Sequence, residues 1–236
     1  MNKSKIRHCI LEVLKRCNIK SYPIDCLDII NNCDIKSISY SSLTSKKRSH
    51  CLLVSDESFV LRGTIYYNDD SIEQRMRFSL MHELGHVILG HSENRTPEEE
   101  QEANFFASNI LAPRMVIHYS RCKNFADVMK KFNLSEQASI IAFDDYKRWI
   151  RTSKHRMTEL DKEMYNHFYN KDAEKFVWSY QHCDFCYSSM AYNGELFCYE
   201  CKLAELRKKA RSGYIFYDER EQAVENLRNN WLYGGI

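Results

Sequence analysis

His82-Glu83-Leu84-Gly85-His86 carries the densest chemical signal in the chain. Histidines four positions apart stand one above the other on a helix, so both imidazoles project toward one point with Glu83 beside them. Neutral imidazole binds zinc at about 2.0–2.1 Å, and a hydrolytic zinc site takes three protein ligands and leaves a fourth position for water. Glu83 is then the base for that water. Phe78, Leu80 and Met81 before the histidines, and Val87, Ile88 and Leu89 after them, favour burial of the helix. Buried histidines and a buried carboxylate are costly without a partner, which a metal ion provides.

The third ligand must come from elsewhere in the chain. One group of zinc proteases continues to His-Glu-x-x-His-x-x-Gly-x-x-His, but Gly90 and His91 are out of step here and Ser92 stands at the third histidine's place. His91 reads as a polar residue just past a helix end. Thr96-Pro97-Glu98-Glu99 has the form of an N-cap, a proline at the first helical position and a capping-box glutamate. A helix is therefore expected from Pro97 to the approach of Pro113, with Ala103, Phe106, Ala107 and Ile110 as its apolar stripe. Glu102 borders that stripe and is the first choice of ligand. Glu98, Glu99 and Glu100 crowd the first turn, where acidic residues suit the helix dipole, and of these Glu99 is the second choice.

A second set of residues with ligand spacing is Cys183-x-x-Cys186 and, after eleven intervening residues, Cys198-x-x-Cys201. Two C-x-x-C turns supply four thiolates and complete a tetrahedral zinc site with no place for water, so this metal is structural. Asn193-Gly194 suits a type I′ turn and predicts a hairpin across Met190 to Phe197, followed by a helix from Cys201. Knuckle, hairpin and helix have the outline of a treble-clef or ribbon-like finger, whose folding depends on its metal. Redox-active dithiols are the alternative.

Around the His-Glu-x-x-His helix, the pattern implies a helix-rich α+β domain. Ile6, Ile10, Val13 and Leu14 mark one helix, and the segment after Tyr22-Pro23 marks a second. Residues 35–40, 51–54 and 64–67 read as three strands of a small sheet, and Ser71 to Gln74 as a capping box opening the metal helix near residue 72. An edge of the sheet within residues 50–67 is the expected seat for an extended substrate. Residues 125–132 and 135–142, split by Asn133-Leu134, outline a helix-turn-helix, but Glu136, Asp144 and Asp145 oppose phosphates, so packing or partner docking is expected over DNA. Met157, Leu160, Met164, Tyr165 and Phe168 predict a connecting helix within 151–180, and residues 222–231 predict a short helix. The domains are then 1–150, 151–180 as connector, and 181–236 as the finger with helices after it.

The 236 residues, 44% of them hydrophobic, carry a formal net charge of +2, which makes no global case for nucleic acid or membrane. No stretch approaches the roughly 18 apolar residues of a membrane span, and Met1 to Cys9 lack the form of a signal peptide. Of ten cysteines, the six outside the finger are scattered among apolar residues, as in a reducing compartment. A cytoplasmic location is expected. Arg207, Lys208, Lys209 and Arg211 beside Phe185, Tyr187 and Tyr192 could grip single-stranded nucleic acid, but partner docking or packing within the finger is the favoured reading.

His82-Glu-Leu-Gly-His86, followed by Glu102-Ala-Asn-Phe-Phe-Ala107 and Leu111-Ala-Pro113, resembles the ImmA/IrrE-type metallopeptidases over residues 1 to about 150. The resemblance implies a zincin-like fold, with His82, His86 and Glu102 as metal ligands and Glu83 as the catalytic glutamate. It also implies a role in phage or mobile-element transcription regulation, by cleaving or antagonising a helix-turn-helix repressor. Leu111-Ala-Pro113 and the cysteine-bearing extension depart from the family pattern, the second leaving the usual partner open. The expected protein is a zinc metalloendopeptidase with one catalytic and one structural Zn2+. The alternatives are a non-cleaving regulatory binding protein and a nucleic-acid-binding finger protein. Tyr66, Tyr67, His118 and Tyr119 are candidates by residue type for the oxyanion donor.

Overall fold

Side-chain caps mark where helices begin: Asn2, Asp25, Asn124 and Thr158 each accept a backbone N–H at the start of α1 (Lys3–Arg16), α2 (Cys26–Asn32), α7 (Phe125–Phe132) and α9 (Glu159–Phe168). A computed structural model supplies these positions and describes residues 1–92, 94–153, 157–192 and 194–210. Between α2 and α7 the order is β1 (Lys36–Ser39), α3 (Ser45–Val54), β2 (Ser58–Leu61), β3 (Thr64–Tyr67), α4 (Glu73–Leu89), α5 (Pro97–Leu111) and α6 (Arg114–Tyr119). After α7 come α8 (Glu136–Ser153), α9, β4 (Tyr169–Asn170), β5 (Lys175–Phe176), β6 (Tyr180–His182) and β7 (Ser189–Ala191). The protein is helix-rich α+β, as the residue pattern indicates, and consistent with the zincin-like domain that the resemblance implies.

The three-stranded sheet is mixed, in the order β1-β3-β2, with β1 parallel and β2 antiparallel to β3. Its composition differs from expectation. Residues 51–54 end helix α3, because Leu52, Leu53 and Val54 are exposed and offer no alternating buried face, and the third strand is 58–61. No side-chain cap opens α4, whose N-cap is Ile72 in place of the expected capping box. A short α6 follows Pro113 where no element was expected.

The chain divides into two units, Met1–Tyr180 and Gln181–Ile236. In the first, Leu11, Leu14, Ile30, Leu80, Phe106 and Ile110 are fully buried in one apolar core. Where a connecting helix was expected over 151–180, the structure has α9 and the β4–β5 hairpin, and Met164, Phe168 and Phe176 belong to that same core. Asp161 on α9 anchors the packing: it accepts from Arg114 at 2.8 Å and from the Trp149 indole at 3.3 Å. In the second unit β6 and β7 pair around Cys183 to Ser188, and a helix covers 199–210. The hairpin of β6 and β7 thus encloses the first cysteine pair, and the one expected across Met190 to Phe197 turns on a residue outside the described ones. Asn193, Arg211 and the helix expected at 222–231 lie outside the described residues. No helix among the described residues is long and apolar enough to cross a membrane.

Gly85 is where the two longest site helices meet. A Cβ built there would lie 3.1 Å from Phe106 Cδ1 and 3.2 Å from its Cβ, so any larger residue would push the buried Phe106 ring by a few tenths of an ångström. Gly85→Ala is expected to destabilise the first unit by about 1–3 kcal/mol through overpacking, read by urea unfolding, and Phe106→Leu should recover part of the loss. Against the opposing effect of burial, the Arg114 guanidinium and the Thr158 cap hold the Asp161 carboxyl below its usual range. Its stabilising contribution is complete above the unfolded pKa of about 3.9 and is lost as pH falls through the lower folded value. Asp161→Asn should therefore flatten the acid limb of a stability–pH curve, and an unchanged limb would discount the Arg114 pair.

Candidate metal centres

Helix α4 places His82 and His86 one turn apart, and their Nε2 atoms lie 3.0 Å from each other. A Glu100 oxygen lies 3.2 Å from His82 Nε2 and the other oxygen 3.5 Å from His86 Nε2. Ligands about 2.0–2.1 Å from a tetrahedral zinc stand about 3.3–3.4 Å apart, so the three side chains have the spacing of a ligand set. The ring nitrogens on the far sides are also occupied: His82 Nδ1 faces Asn104 Oδ1 at 3.0 Å and His86 Nδ1 faces His91 Nδ1 at 2.9 Å. Such outer partners fix ring orientation in metal sites. Burial foremost, then Arg95, His82 and His91, pushes the His86 imidazole down to about 3, leaving it in the neutral form that binds metal. The residues fit a metal ion.

The acidic helix start is resolved residue by residue. Thr96 and Glu99 form the expected capping box: Glu99 N–H donates to Thr96 Oγ1 at 3.2 Å and Thr96 N–H to Glu99 Oε2 at 2.7 Å. Ser92 N–H also donates to Glu99, so Glu99 is taken up by the cap. Glu102, the first choice from the sequence, is not at the histidine pair; its carboxylate lies 3.4 Å from His91 Nε2, a contact without hydrogen-bond geometry. The reason is helical phase. Burial of Ala103, Phe106, Ala107 and Ile110 sets the rotation of α5, and Glu100 and Asn104, one turn apart, both reach His82. Glu102 lies roughly 200° around the axis from Glu100. Glu100 had been set aside as one of a crowded acidic turn.

His91 lies just past the end of α4, as the sequence indicates. Gly90 caps α4 in the left-handed conformation at φ 72°, and His91 N–H returns to His86 O at 3.0 Å. This reversal brings the His91 ring against His86 Nδ1, with its side chain 5% exposed. The Glu83 side chain is only 4% exposed and is held by Arg95, whose Nη2 donates to Oε2 at 2.7 Å and whose Nη1 donates to Oε1 at 3.5 Å. Arg95 Nη1 also stands 3.8 Å from Glu100. Sequence reasoning passed over Arg95; its place next to the Thr96 cap, in the α4–α5 link, was the available signal.

Of the oxyanion candidates, His118 packs with Tyr146 and Trp149, Tyr119 stacks on Phe176, and Tyr66 stacks on Phe59. Burial raises the Tyr67 phenol. Beside His82, through Phe78 and Asn104, opens a cleft of about 830 Å³ also lined by Gln101, Phe105, Ala138 and Ile141.

Cys183, Cys186, Cys198 and Cys201 converge with all four sulfurs within 4.8 Å of one another. Cys186 and Cys198 Sγ atoms are 3.6 Å apart, close to the spacing of thiolates about 2.3 Å from one zinc. Backbone N–H donors of Cys186 and Cys198 pull the Cys183 thiol down to about 6, the second at 3.2 Å from its sulfur. The nearby aromatics are not all packed within the finger: Phe185, Tyr187 and Tyr199 are exposed, and Phe176 sits in the core of the first unit.

Zinc titration separates these assignments. Glu100→Gln is expected to weaken binding at the histidine site by more than about 100-fold and Glu102→Gln by about 10–100-fold at most, the effect of an outer partner. Cys198→Ser should lose one bound zinc while leaving the histidine site intact. The reverse order of the two glutamates would make Glu102 the ligand.

No curated protein matches the chain. Residues 35–142, which hold the sheet, the histidine pair and both glutamates, match the family of the IrrE N-terminal-like domain, Peptidase M78, which supports a metallopeptidase of the IrrE/ImmA type.

Proposed function

We propose that the protein is a zinc-dependent metalloendopeptidase that cuts a regulatory protein, a helix-turn-helix repressor of a phage or mobile element being the substrate the family resemblance favours. The observation that carries this reading is the convergence of His82 Nε2, His86 Nε2 and the Glu100 carboxylate beside buried Glu83. A zinc ion held there would supply Lewis-acid polarisation of a water and of the scissile carbonyl. His82 and His86 hold it through Nε2, with Asn104 and His91 fixing their rings, and Glu100 completes the set in this geometry. Glu102 is the ligand that the resemblance implies. Glu83 accepts the proton of the attacking water and passes it to the leaving amine. The cysteine cluster holds a second zinc of structural role.

Two features support a peptide substrate. Strand β2 lies at one edge of the sheet and packs with β3 against α4, so an extended chain added there runs beside the metal helix. The cleft of about 830 Å³ is larger than one side chain needs and lies within the range of pockets that enclose whole ligands. Residues 181–236 contain seven basic against eight acidic residues, a balance that favours a protein partner for the finger over nucleic acid. The proposed site of action is the cytoplasm. A second reading, a regulatory protein that binds its partner without cutting it, is favoured by one observation: Arg95 occupies both oxygens of Glu83.

Glu83→Gln decides between them. The variant is expected to keep its zinc and to lose cleavage by about 10²–10⁴-fold, measured on helix-turn-helix regulators with and without chelator. A partner that stays intact with wild type and variant alike would support the binding protein, and unchanged cleavage would reject Glu83 as the base.

A further inference from the structure

Resting on the peptidase reading, we propose that Arg95 is a catalytic residue, the donor that binds the oxyanion of the tetrahedral adduct, parked on Glu83 between turnovers. Peptide hydrolysis places a negative charge on the attacked carbonyl oxygen, and a preorganised donor there is commonly the largest protein contribution to such reactions. The four residues expected for that part pack elsewhere: His118 and Tyr119 in an aromatic cluster, Tyr66 on Phe59, and Tyr67 against the apolar core. Arg95 is in place. Its guanidinium contacts the base at 2.7 Å and stands 3.8 Å from Glu100, so it borders the space between base and third ligand where the reacting carbonyl must lie.

The position is built. Arg95 directly precedes the Thr96 capping box, which sets the entry of the chain into α5. The side chain is 23% exposed, whereas Glu83 is buried, so the guanidinium is the part of this pair that a bound peptide meets. Guanidinium stays charged throughout and offers five N–H donors in one plane, enough to keep Glu83 and turn toward a second oxygen.

The charge accounting explains why the same residue serves both groups. As the water oxygen bonds to the carbonyl carbon, its proton goes to Glu83, whose charge is cancelled, and the C=O electron pair moves onto the carbonyl oxygen. Negative charge has then passed from one partner of Arg95 to another. When the C–N bond breaks, the proton leaves Glu83 for the amine nitrogen, the carbonyl re-forms, and Arg95 returns to Glu83. No oxidant or further reactant enters.

The test uses the full zinc-loaded chain, fluorescein-labelled casein as substrate, and a phosphinic peptide whose tetrahedral P–O⁻ imitates the adduct. Arg95→Gln is expected to lower kcat on casein by about 10²–10³-fold with KM little changed. It should weaken phosphinic-peptide binding in calorimetry at least tenfold and leave zinc affinity as in wild type. Added guanidinium should restore part of the activity of Arg95→Gly. Wild-type binding of the phosphinic peptide by Arg95→Gln, with only melting temperature or zinc affinity altered, would reduce Arg95 to a structural counter-ion and overturn the proposal. A zinc-loaded wild type that neither cuts casein nor binds the phosphinic peptide would instead bring down the peptidase reading, and this proposal with it.

Discussion

The close approach of α4 to α5 is the constraint on which the site rests. Neither helix holds a metal set alone: α4 offers two imidazoles on one face, and α5 offers carboxylates whose usefulness depends on its rotation. Gly85 against Phe106 sets the separation, and the buried stripe of α5 sets the phase. Helices packed this tightly move as rigid neighbours, so the ligands are prepared before any metal arrives. The cost of such preorganisation is a buried carboxylate, Glu83, which would be expensive if left unpaired. Arg95 offsets it by lying across both oxygens.

The outer contacts form a second layer with the same logic. Asn104 and His91 each occupy the ring nitrogen that faces away from the metal position, leaving both Nε2 atoms turned inward. Glu102 stands behind His91. In this arrangement the glutamate that the family resemblance implies as a ligand is one bridge removed from the histidine pair, and Glu100 is in its place. The stretch from the end of α4 into the first turn of α5 supplies three chemically distinct groups, His91, Arg95 and the Glu99 cap, within a few residues. The turn at Gly90 directs His91, and the cap at Thr96 holds the chain next to Arg95.

Much of this was legible before any coordinates. The histidine spacing, the apolar flanks, the Thr96 capping box and the paired C-x-x-C turns are local patterns, and local patterns survive folding. What was not legible depended on long-range packing. Glu100, Glu99 and Glu102 are chemically alike, and only the rotation of α5 against α4 separates them. His91 and Arg95 lie outside the periodic stretches, where no spacing rule indicates which way a side chain turns. Residues 51–54 have strand-like composition, yet Leu53 and Val54 face solvent at the end of α3, because the sheet takes 58–61. The stretch 151–180 has helical spacing, but its Phe168 and Phe176 are drawn into the core, which breaks it into α9 and a hairpin.

The most direct measurement is anomalous diffraction at the zinc edge from crystals of the zinc-loaded chain. The account predicts one peak bonded at about 2.0–2.2 Å to His82 Nε2, His86 Nε2 and one carboxylate of α5, with Glu83 near it but outside bonding distance, and a second among the four cysteine sulfurs. A peak at the cysteines alone, or one bonded directly to Glu83, would contradict it.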